Sequence, residues 1–223
     1  KPIPILLREE NEFAFSADEV LGLINNKTRL IILNSPANPC GGTVPKAEFD
    51  KLMDGLLAWP DVAILSDEIY SQMLYEGREH VSLLHYPEIR DRLILLDCWS
   101  KTYAMTGWRL GCAVWPKDLT PVATRLAINC HSCVNAPTQF AGIAALEGPQ
   151  DTVIDMVAAF DERRKVIVKG LNQIEGFRCI DPGGAFYTFP NIEGTGLSAQ
   201  ELQNKLLEEE LDRITLDAAA TRR

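Results

Sequence analysis

No apolar run in this 223-residue sequence approaches the roughly 20 residues that a membrane-spanning helix needs. Basic residues are also scarce, since 22 Lys and Arg stand against 31 Asp and Glu, and the net charge is −9. This balance argues against nucleic acid or an anionic membrane surface as a partner. The opening residues KPIP lack the basic start and long apolar stretch of a signal peptide, so we expect a cytoplasmic protein.

Motifs for several common chemistries are missing as well. No G-x-G-x-x-G opens a helix, which argues against a nicotinamide-dependent dehydrogenase, and no G-x-S-x-G elbow supports a serine hydrolase. The six cysteines are scattered, as is typical of reduced thiols rather than of a disulfide framework. Cys130 and Cys133 have C-x-x-C spacing without a second ligand pair, so we interpret them as small buried hydrophobic residues rather than zinc ligands.

Apolar, β-rich runs alternate with helical patterns in the first part of the chain, which predicts an α/β fold. Helices are expected at 16–25, with Ser16 or Asp18 near its cap, and at 45–57, with a proline in its first turn. Strands are expected at 3–8, 30–34, 62–66, 93–97 and 110–115. Because these strands are mostly apolar, both faces of their sheet should be covered.

A long helix is predicted at about 150–175. Apolar residues form a stripe along it at helical spacing. The stripe consists of Val153, Met156, Val157, Phe160, Val166, Ile167, Leu171 and Ile174. Arg163, Arg164, Lys165 and Lys169 come late in the helix, where they complement its dipole. Two strands, at 177–180 and 185–191 around a Pro-Gly-Gly turn, and a helix at 198–211 are expected to follow.

The run SKTYAMTGWRLG at residues 100–111 directly follows a predicted buried strand. Burial favours the neutral form of a lysine amine, and that form condenses with an aldehyde. Arg109 lies eight positions after Lys101 and can present a planar fork to a phosphate. An aldehyde and a phosphate on one small molecule suggest pyridoxal 5'-phosphate (PLP). The alternative is an ordinary surface lysine at a strand–helix junction.

Three motifs together resemble those of the class I/II aminotransferases, which are fold-type I PLP enzymes, and in particular of the aspartate and aromatic aminotransferases. Residues 100–111 resemble the lysine signature of that family. Residues 34–42 (NSPANPCGG) resemble its Asn-Pro-x-Gly turn, and residues 66–70 (SDEIY) resemble its Asp-Glu-x-Tyr segment. Each motif closes a predicted strand, so these side chains are expected to converge at the carboxyl ends of the strands. The likeness runs from about Ile3 to about Glu210.

The resemblance implies a PLP-transferase-like large domain with a mostly parallel sheet at 1–160 and part of a smaller α/β domain at 161–223, joined by the long helix. It also implies a homodimer that acts on an amino acid and a 2-oxo acid. The family's phosphate-binding turn, ring-stacking aromatic residue and substrate-carboxylate arginine match nothing in the chain. We therefore expect the central piece of a longer enzyme, or the product of a damaged reading frame, weakly active or inactive alone.

Lys101 and Asp67 are the residues to which the resemblance assigns the chemistry. The lysine is expected to anchor the cofactor covalently and then to move a proton between substrate and cofactor. Asp67 is expected to pair with the protonated pyridine nitrogen, which keeps the ring an electron sink. The structural alternative is that Asp67 caps the next helix. Glu68 beside it is interpreted as structural.

Other residues are expected to bind the cofactor. Tyr70 and Asn38 are assigned to its phenolic oxygen, with a core aromatic residue and a turn residue as their respective alternatives. Ser100 and Arg109 are assigned to the phosphate. Cys98 stands where the family more often has Ser or Thr, so one phosphate contact should be weaker.

Neighbouring segments receive less specific predictions. Gly41 and Gly42 are expected to let the chain turn closely under the cofactor, and the loop at 131–137 is expected to approach the site. Trp108 and Phe186 are interpreted as core or wall aromatic residues without chemistry.

Two other functions stay open at this stage. A PLP-dependent carbon–sulfur β-lyase or related synthase would use the same residues, because those reactions share deprotonation of the substrate Cα. A non-catalytic remnant would bind a partner through an exposed sheet or dimer surface. The donor amino acid is chosen by residues largely outside this chain.

Overall fold

The computed structural model of the chain describes residues 1–208. Four strands form one sheet in the order β1-β2-β3-β4. The first three run parallel, and β4 is antiparallel to β3. The strands are β1 (Leu30–Asn34), β2 (Ala63–Asp67), β3 (Leu93–Cys98) and β4 (Gly111–Val114). The predicted α/β class with a mostly parallel sheet is confirmed.

Helices connect the strands and make up most of the second half of the described chain. They are α1 (Ala17–Leu23), α2 (Lys46–Leu56), α3 (Trp99–Thr102), α4 (Thr120–His131), α5 (Ala136–Glu147), α6 (Asp151–Leu171) and α7 (199–208). In α7 the Ser198 hydroxyl accepts the Glu201 N–H at 3.3 Å while the Glu201 carboxylate accepts the Ser198 N–H at 2.9 Å, a reciprocal cap. Residues 209–211 of this predicted helix lie outside the described residues.

Helix α1 begins at the predicted place, but its cap differs from the prediction. Ser16 occupies the N-cap position without a side-chain hydrogen bond. The Glu48 carboxylate in α2 accepts the N–H of Ala17 at 2.6 Å instead. A neighbouring helix therefore satisfies the backbone donor that Ser16 or Asp18 was expected to satisfy.

The main hydrophobic core lies between α1, α2 and one face of the sheet. In β1 the residues that face it, Ile31 and Leu33, are 6% and 4% exposed, whereas Leu30 and Ile32 are 44% and 62% exposed. The expectation that both faces are covered is therefore wrong for β1. This strand lies at the sheet edge, where the described part of the chain places little against its second face.

Neighbouring residues of β1 allow a matched test of this one-sided packing. Ile31→Val is expected to lower the free energy of unfolding by about 1 kcal/mol, because it removes a methylene from a packed core. Ile32→Val removes the same group from an exposed site and should change stability by less than about 0.5 kcal/mol. Urea unfolding of the two variants measures the difference. Equal losses would mean that Ile32 is buried in solution.

Residues 3–8 do not form the predicted strand. The segment has no regular secondary structure and leads into a 3-10 turn at Glu9–Asn11. Pro2 and Pro4 lack the backbone N–H groups that a strand ladder requires. The apolar character of the segment serves packing instead, since Ile5 contacts the main core.

The strands predicted at 177–180 and 185–191 are also wrong. Only a single antiparallel bridge joins these segments in the described chain. The N–H of Ala185 donates instead to the carbonyl of Met73 at 2.9 Å. Because loops elsewhere take up the backbone hydrogen bonds, no ladder forms between the two segments.

Helix α6 confirms the long helix predicted at 150–175, but its apolar stripe is only half used. Its first part packs against a small cluster around Tyr70, through Met156, Val157 and Phe160. Val166 and Ile167 are 72% and 47% exposed, so the prediction of an apolar packing face is wrong for the second part of the helix. Arg164, which was expected to complement the helix dipole, is a buried residue in this second part of the helix. The domain division at 160 and 161 stays a prediction.

The C-x-x-C cysteines are exposed, in contrast to their interpretation as buried residues. Cys130 belongs to α4, which buries none of its side chains, and Cys133 follows that helix. Within residues 1–208, no cluster of His, Cys, Asp or Glu is arranged to hold a metal. In the same range, no helix has both the length and the apolar character needed to cross a membrane.

Candidate active site

The three motifs meet at the carboxyl edge of the parallel strands. Asn34 and Asp67 are partners in register at the ends of β1 and β2. The Asn34 amide donates to the Asp67 carbonyl at 3.0 Å and accepts the N–H of Asn38 at 2.7 Å. Strand β3 leads directly into α3, which carries Ser100 and Lys101. The predicted convergence at this edge of the sheet is therefore present.

Lys101 lies half-buried in the short helix α3. Its Nζ lies 5.0 Å from the ring centroid of Phe186 and 5.9 Å from that of Tyr70. Such distances allow cation–π attraction, and the two rings limit the directions from which water reaches the amine. The amine is therefore partly shielded, and its assignment to the cofactor stays a prediction.

A cavity of about 300 Å³ opens beside α3. Ser100, Lys101 and Arg109 all line it, together with Cys98. The residues assigned to the cofactor aldehyde and to its phosphate therefore share one cavity, at the lower end of the size range of small-molecule sites. The lining of this cavity does not include Asn38, which follows β1, or Asp67 and Tyr70, which lie at and just after the end of β2.

Arg109 is exposed and has a left-handed backbone conformation, with φ 56°. One guanidinium N–H donates to the Thr106 carbonyl at 3.0 Å, and the other N–H groups of the fork remain available to an anion. Arg109 also lines a second cavity of about 350 Å³ with Trp108 and Asn135. The segment at 131–137 thus reaches the site region through Asn135, which begins α5 as its N-cap.

Cys98 acts as the N-cap of α3. Its sulfur accepts the N–H of Ser100 at 3.3 Å, and Ser100 itself is 8% exposed. The sulfur thus serves the helix that carries Lys101. The sequence did not single out the preceding residue, Asp97. Burial raises the pKa of the Asp97 carboxyl, while the Cys98 N–H that it accepts at 2.7 Å opposes this rise.

Asp67 is half-buried, and its Oδ1 accepts the N–H of Ile69 at 3.2 Å. The segment after β2 is a turn rather than a helix, so the helix-cap alternative becomes an aspartate that stabilises a turn. A carboxylate accepts through two oxygens, and this bond leaves capacity for a ligand.

Tyr70 is 2% exposed and its hydroxyl shares a hydrogen bond with the hydroxyl of Tyr187. Burial and this bond raise the pKa of Tyr70 well above its ordinary value, so the phenol stays protonated. Both interpretations of Tyr70 have support, because the ring is a packed aromatic residue and also lies beside Lys101.

Asn38 is exposed in the turn after β1, which agrees with its alternative as a turn residue. The Asn38–Pro39 peptide is cis, as is the peptide before Pro36. A Cβ at Gly41 would lie 2.5 Å from the Cβ of Pro182. A Cβ at Gly42 would lie 2.6 Å from the carbonyl oxygen of Phe13. These glycines thus allow the close approach of other parts of the protein, and their place under the cofactor stays a prediction.

Two residues near Lys101 were missed or undervalued by the sequence interpretation. Phe186, which received no chemistry, packs against the amine and stacks on Phe160 at 5.6 Å between ring centroids. Tyr187, which was not singled out, bonds to Tyr70. The available signal was an aromatic pair that follows a Pro-Gly-Gly turn after one intervening alanine.

Comparison with known proteins places these residues in context. The family model described as "Aminotransferase class I and II" matches residues 1–215. An aspartate aminotransferase of Pyrococcus horikoshii is 40% identical over 93% of this chain and 53% of its own length. An aspartate aminotransferase of Geobacillus stearothermophilus is 39% identical over 85% of this chain and 48% of its own length. The chain thus spans about half the length of the curated relatives it matches.

Solved structures show the same relationship. The crystal structure of the aspartate aminotransferase from Rhizobium meliloti has a TM-score of 0.84 at 36% identity, covering 87% of this chain and 49% of that one. The aromatic aminotransferase from Pyrococcus horikoshii has a TM-score of 0.89 at 33% identity, covering 94% and 56%. The fold is shared with both.

Proposed function

Because the chain belongs to the class I and II aminotransferases, we propose that the whole protein transfers an amino group between an amino acid and a 2-oxo acid with PLP as cofactor. The observation that carries this proposal is the cavity that Ser100, Lys101 and Arg109 share. An amine, a buried hydroxyl and a guanidinium fit a small molecule that carries both an aldehyde and a phosphate.

The chain's own residues fit the cofactor's functional groups in kind. Lys101 supplies the amine for the aldehyde, Ser100 and Arg109 supply donors for the phosphate, and Asp67 supplies an anion at the neighbouring strand end. When bound, PLP contributes an electrophilic aldehyde and a ring that accepts electrons as a substrate Cα–H bond is broken. The protonated hydroxyl of Tyr70 supplies a donor at the same edge of the sheet.

Each of these residues has a definite task in the proposed reaction. Lys101 holds the proton that moves to and from the substrate Cα, which is general acid/base catalysis by its Nζ. Arg109 and Ser100 fix the anionic end of the ligand, so that the amine meets the reacting atoms in one orientation. Asp67 keeps a negative charge at the strand end, where it favours a protonated ring nitrogen.

We also propose that the whole protein is a cytoplasmic homodimer. The likeness to the aminotransferase family supports this assembly. Large apolar side chains on α4 and α5 are exposed, including Leu126 at 64% and Phe140 at 73%. Exposed apolar groups of this size favour a protein interface.

The proposed chemistry is tested by chemical trapping. The purified chain is mixed with PLP, reduced with borohydride and digested, and peptides are mapped by mass spectrometry. We expect the pyridoxyl group on Lys101. Label on other lysines, or none, contradicts the assignment. In the whole protein, keto-acid formation from aspartate or an aromatic donor supports transamination, whereas ammonia and pyruvate from a sulfur amino acid favour the β-lyase.

Arg109→Met is expected to weaken PLP binding by about 10- to 100-fold, which corresponds to the loss of charge-assisted hydrogen bonds. Affinity for pyridoxal, which lacks the phosphate, should stay nearly unchanged. Absorbance titrations with both ligands separate the two effects. Arg125→Met, at an exposed position of α4, is the matched control and should bind both ligands normally. An equal loss for PLP and pyridoxal would contradict a phosphate role for Arg109.

A further inference from the structure

Arg164 is a buried arginine in the second half of α6, with a side chain only 4% exposed. Its Nη2 donates to the Glu76 carboxylate at 2.8 Å, and its Nε donates to Asp161 at 2.9 Å. The guanidinium also lies 4.9 Å from the ring centroid of Tyr75. A buried guanidinium is costly unless it is paired, so this set of partners fixes the side chain in one place.

The same guanidinium holds the segment 181–187. Its Nη1 donates to the Pro182 carbonyl at 3.3 Å and lies 3.8 Å from the Asp181 carboxylate. Tyr75, which packs under Arg164, donates its hydroxyl to the carbonyl of Ala185. Arg164 and its aromatic neighbour therefore secure this segment at two points.

The segment 181–187 requires such support because one of its residues has an unfavourable backbone conformation. Ala185 is completely buried and has φ 58°, a left-handed conformation that an alanine adopts only when its surroundings impose it. The next residue, Phe186, stacks on Phe160, which precedes Arg164 by one turn on the same face of α6. One face of α6 thus contacts the segment twice, through Arg164 at Pro182 and through Phe160 at Phe186.

We propose that Arg164 is a positioning residue for Lys101. By holding 181–187 against α6, it keeps the ring of Phe186 5.0 Å from the Lys101 amine. The ring then shields one side of the amine from water and limits the directions in which the amine points. The inference rests on the proposed function in one respect, namely that Lys101 is the residue that reacts with the cofactor.

The test measures the exposure of the amine directly, in the cofactor-free chain. Reductive methylation followed by peptide mass spectrometry gives the labelling rate of Lys101, with the exposed Lys117 as a reference within each sample. Phe186→Ala removes the shielding ring and should raise the Lys101 rate by about threefold or more, as expected when a local contact opens. Arg164→Met should raise it to a similar extent, while the Lys117 rate stays constant.

Combining the substitutions separates positioning from general support of the fold. If Arg164 acts through Phe186, the double variant should label Lys101 no faster than Phe186→Ala alone. Arg164→Lys keeps the charge but not the planar fork, so its rate should lie between wild type and Arg164→Met. Arg125→Met is the matched control and should label as wild type.

An unchanged Lys101 rate in Arg164→Met, with only a lower unfolding temperature, would overturn the proposal, as would additive effects in the double variant. Should Arg164→Met not fold, Glu76→Gln weakens the same cluster at a half-exposed partner. A wild-type Lys101 rate in Glu76→Gln, against a raised rate in Phe186→Ala, then overturns it. Failure of PLP to label Lys101 would refute the proposed function. It would not affect the comparison of Lys101 methylation rates, which is made without the cofactor.

Discussion

Replacing Lys101 with alanine is expected to abolish covalent capture of PLP by the chain and to remove transamination by the whole protein. Lys101 is the amine in the cavity that Ser100 and Arg109 also line. Loss of its proton transfer alone should lower kcat by about 10²- to 10⁴-fold, and loss of covalent attachment adds to that. Borohydride trapping measures the first effect and single-turnover kinetics of the whole protein measure the second.

Two arginine substitutions provide the control for this experiment. Lys101→Arg keeps a cation beside Phe186 but removes the amine that condenses with an aldehyde, so it should be as inactive as the alanine variant. Lys117→Arg makes the same change at an exposed position and should be trapped normally at Lys101. A Lys101→Ala chain that still captures PLP at one defined lysine would contradict the assignment.

The central strands could be predicted from the sequence because each is a short apolar run between turn residues. β1, β2 and β3 match their predicted ranges to within one residue at either end. Residues 3–8 and 185–191 carry similar patterns but form no strands. A strand needs a partner as well as an apolar pattern, and the backbone partners of Ala185 lie in a distant loop.

The site shows the same division between local and distant information. Ser100, Lys101 and Arg109 share a cavity and lie within ten residues of one another, so one motif sufficed to find them. Tyr187 contacts Tyr70 across 117 positions of sequence, and no local pattern announces that contact. Long-range contacts of this kind place the rings of Tyr70 and Phe186 beside Lys101.

The burial of Arg164 was missed for a related reason. A cationic residue late in a helix complements the helix dipole wherever it points, so composition alone favoured an exposed position. One of its hydrogen-bond partners is Glu76, 88 positions away. Only the folded chain shows that this residue and Val168, rather than Val166 or Ile167, are the buried residues in the second half of α6.

Glu68 is expected to make the largest single contribution to stability among the charged residues near the site. It is 5% exposed, and its Oε1 accepts the Ser66 hydroxyl at 2.9 Å and the Leu83 N–H at 3.0 Å. Its Oε2 bonds to the His80 ring at 2.7 Å. All these partners belong to the fold, which agrees with the interpretation of Glu68 as structural.

Glu68→Leu should therefore lower the free energy of unfolding by about 3–5 kcal/mol, because it leaves several buried polar groups without a partner. Glu68→Gln keeps an acceptor for Ser66 and Leu83 and should cost less. Glu79→Leu changes an exposed carboxylate close by in sequence and should shift stability by less than about 0.5 kcal/mol. Urea unfolding at neutral pH ranks the three variants, and equal values for Glu68→Leu and Glu79→Leu would contradict the argument.

The pH dependence of the same comparison identifies the carboxylate as the source of the effect. Burial on its own raises the pKa of Glu68, but the hydrogen bonds from His80 and Leu83 oppose this rise, and the pKa lies below its ordinary value of 4.5. The stabilisation is thus complete above pH 4.5 and is lost as the pH falls from there through the folded-state pKa. The stability gap between wild type and Glu68→Leu should narrow over that acidic range. A gap that stays constant would mean that packing, rather than the ionised carboxylate, accounts for the loss.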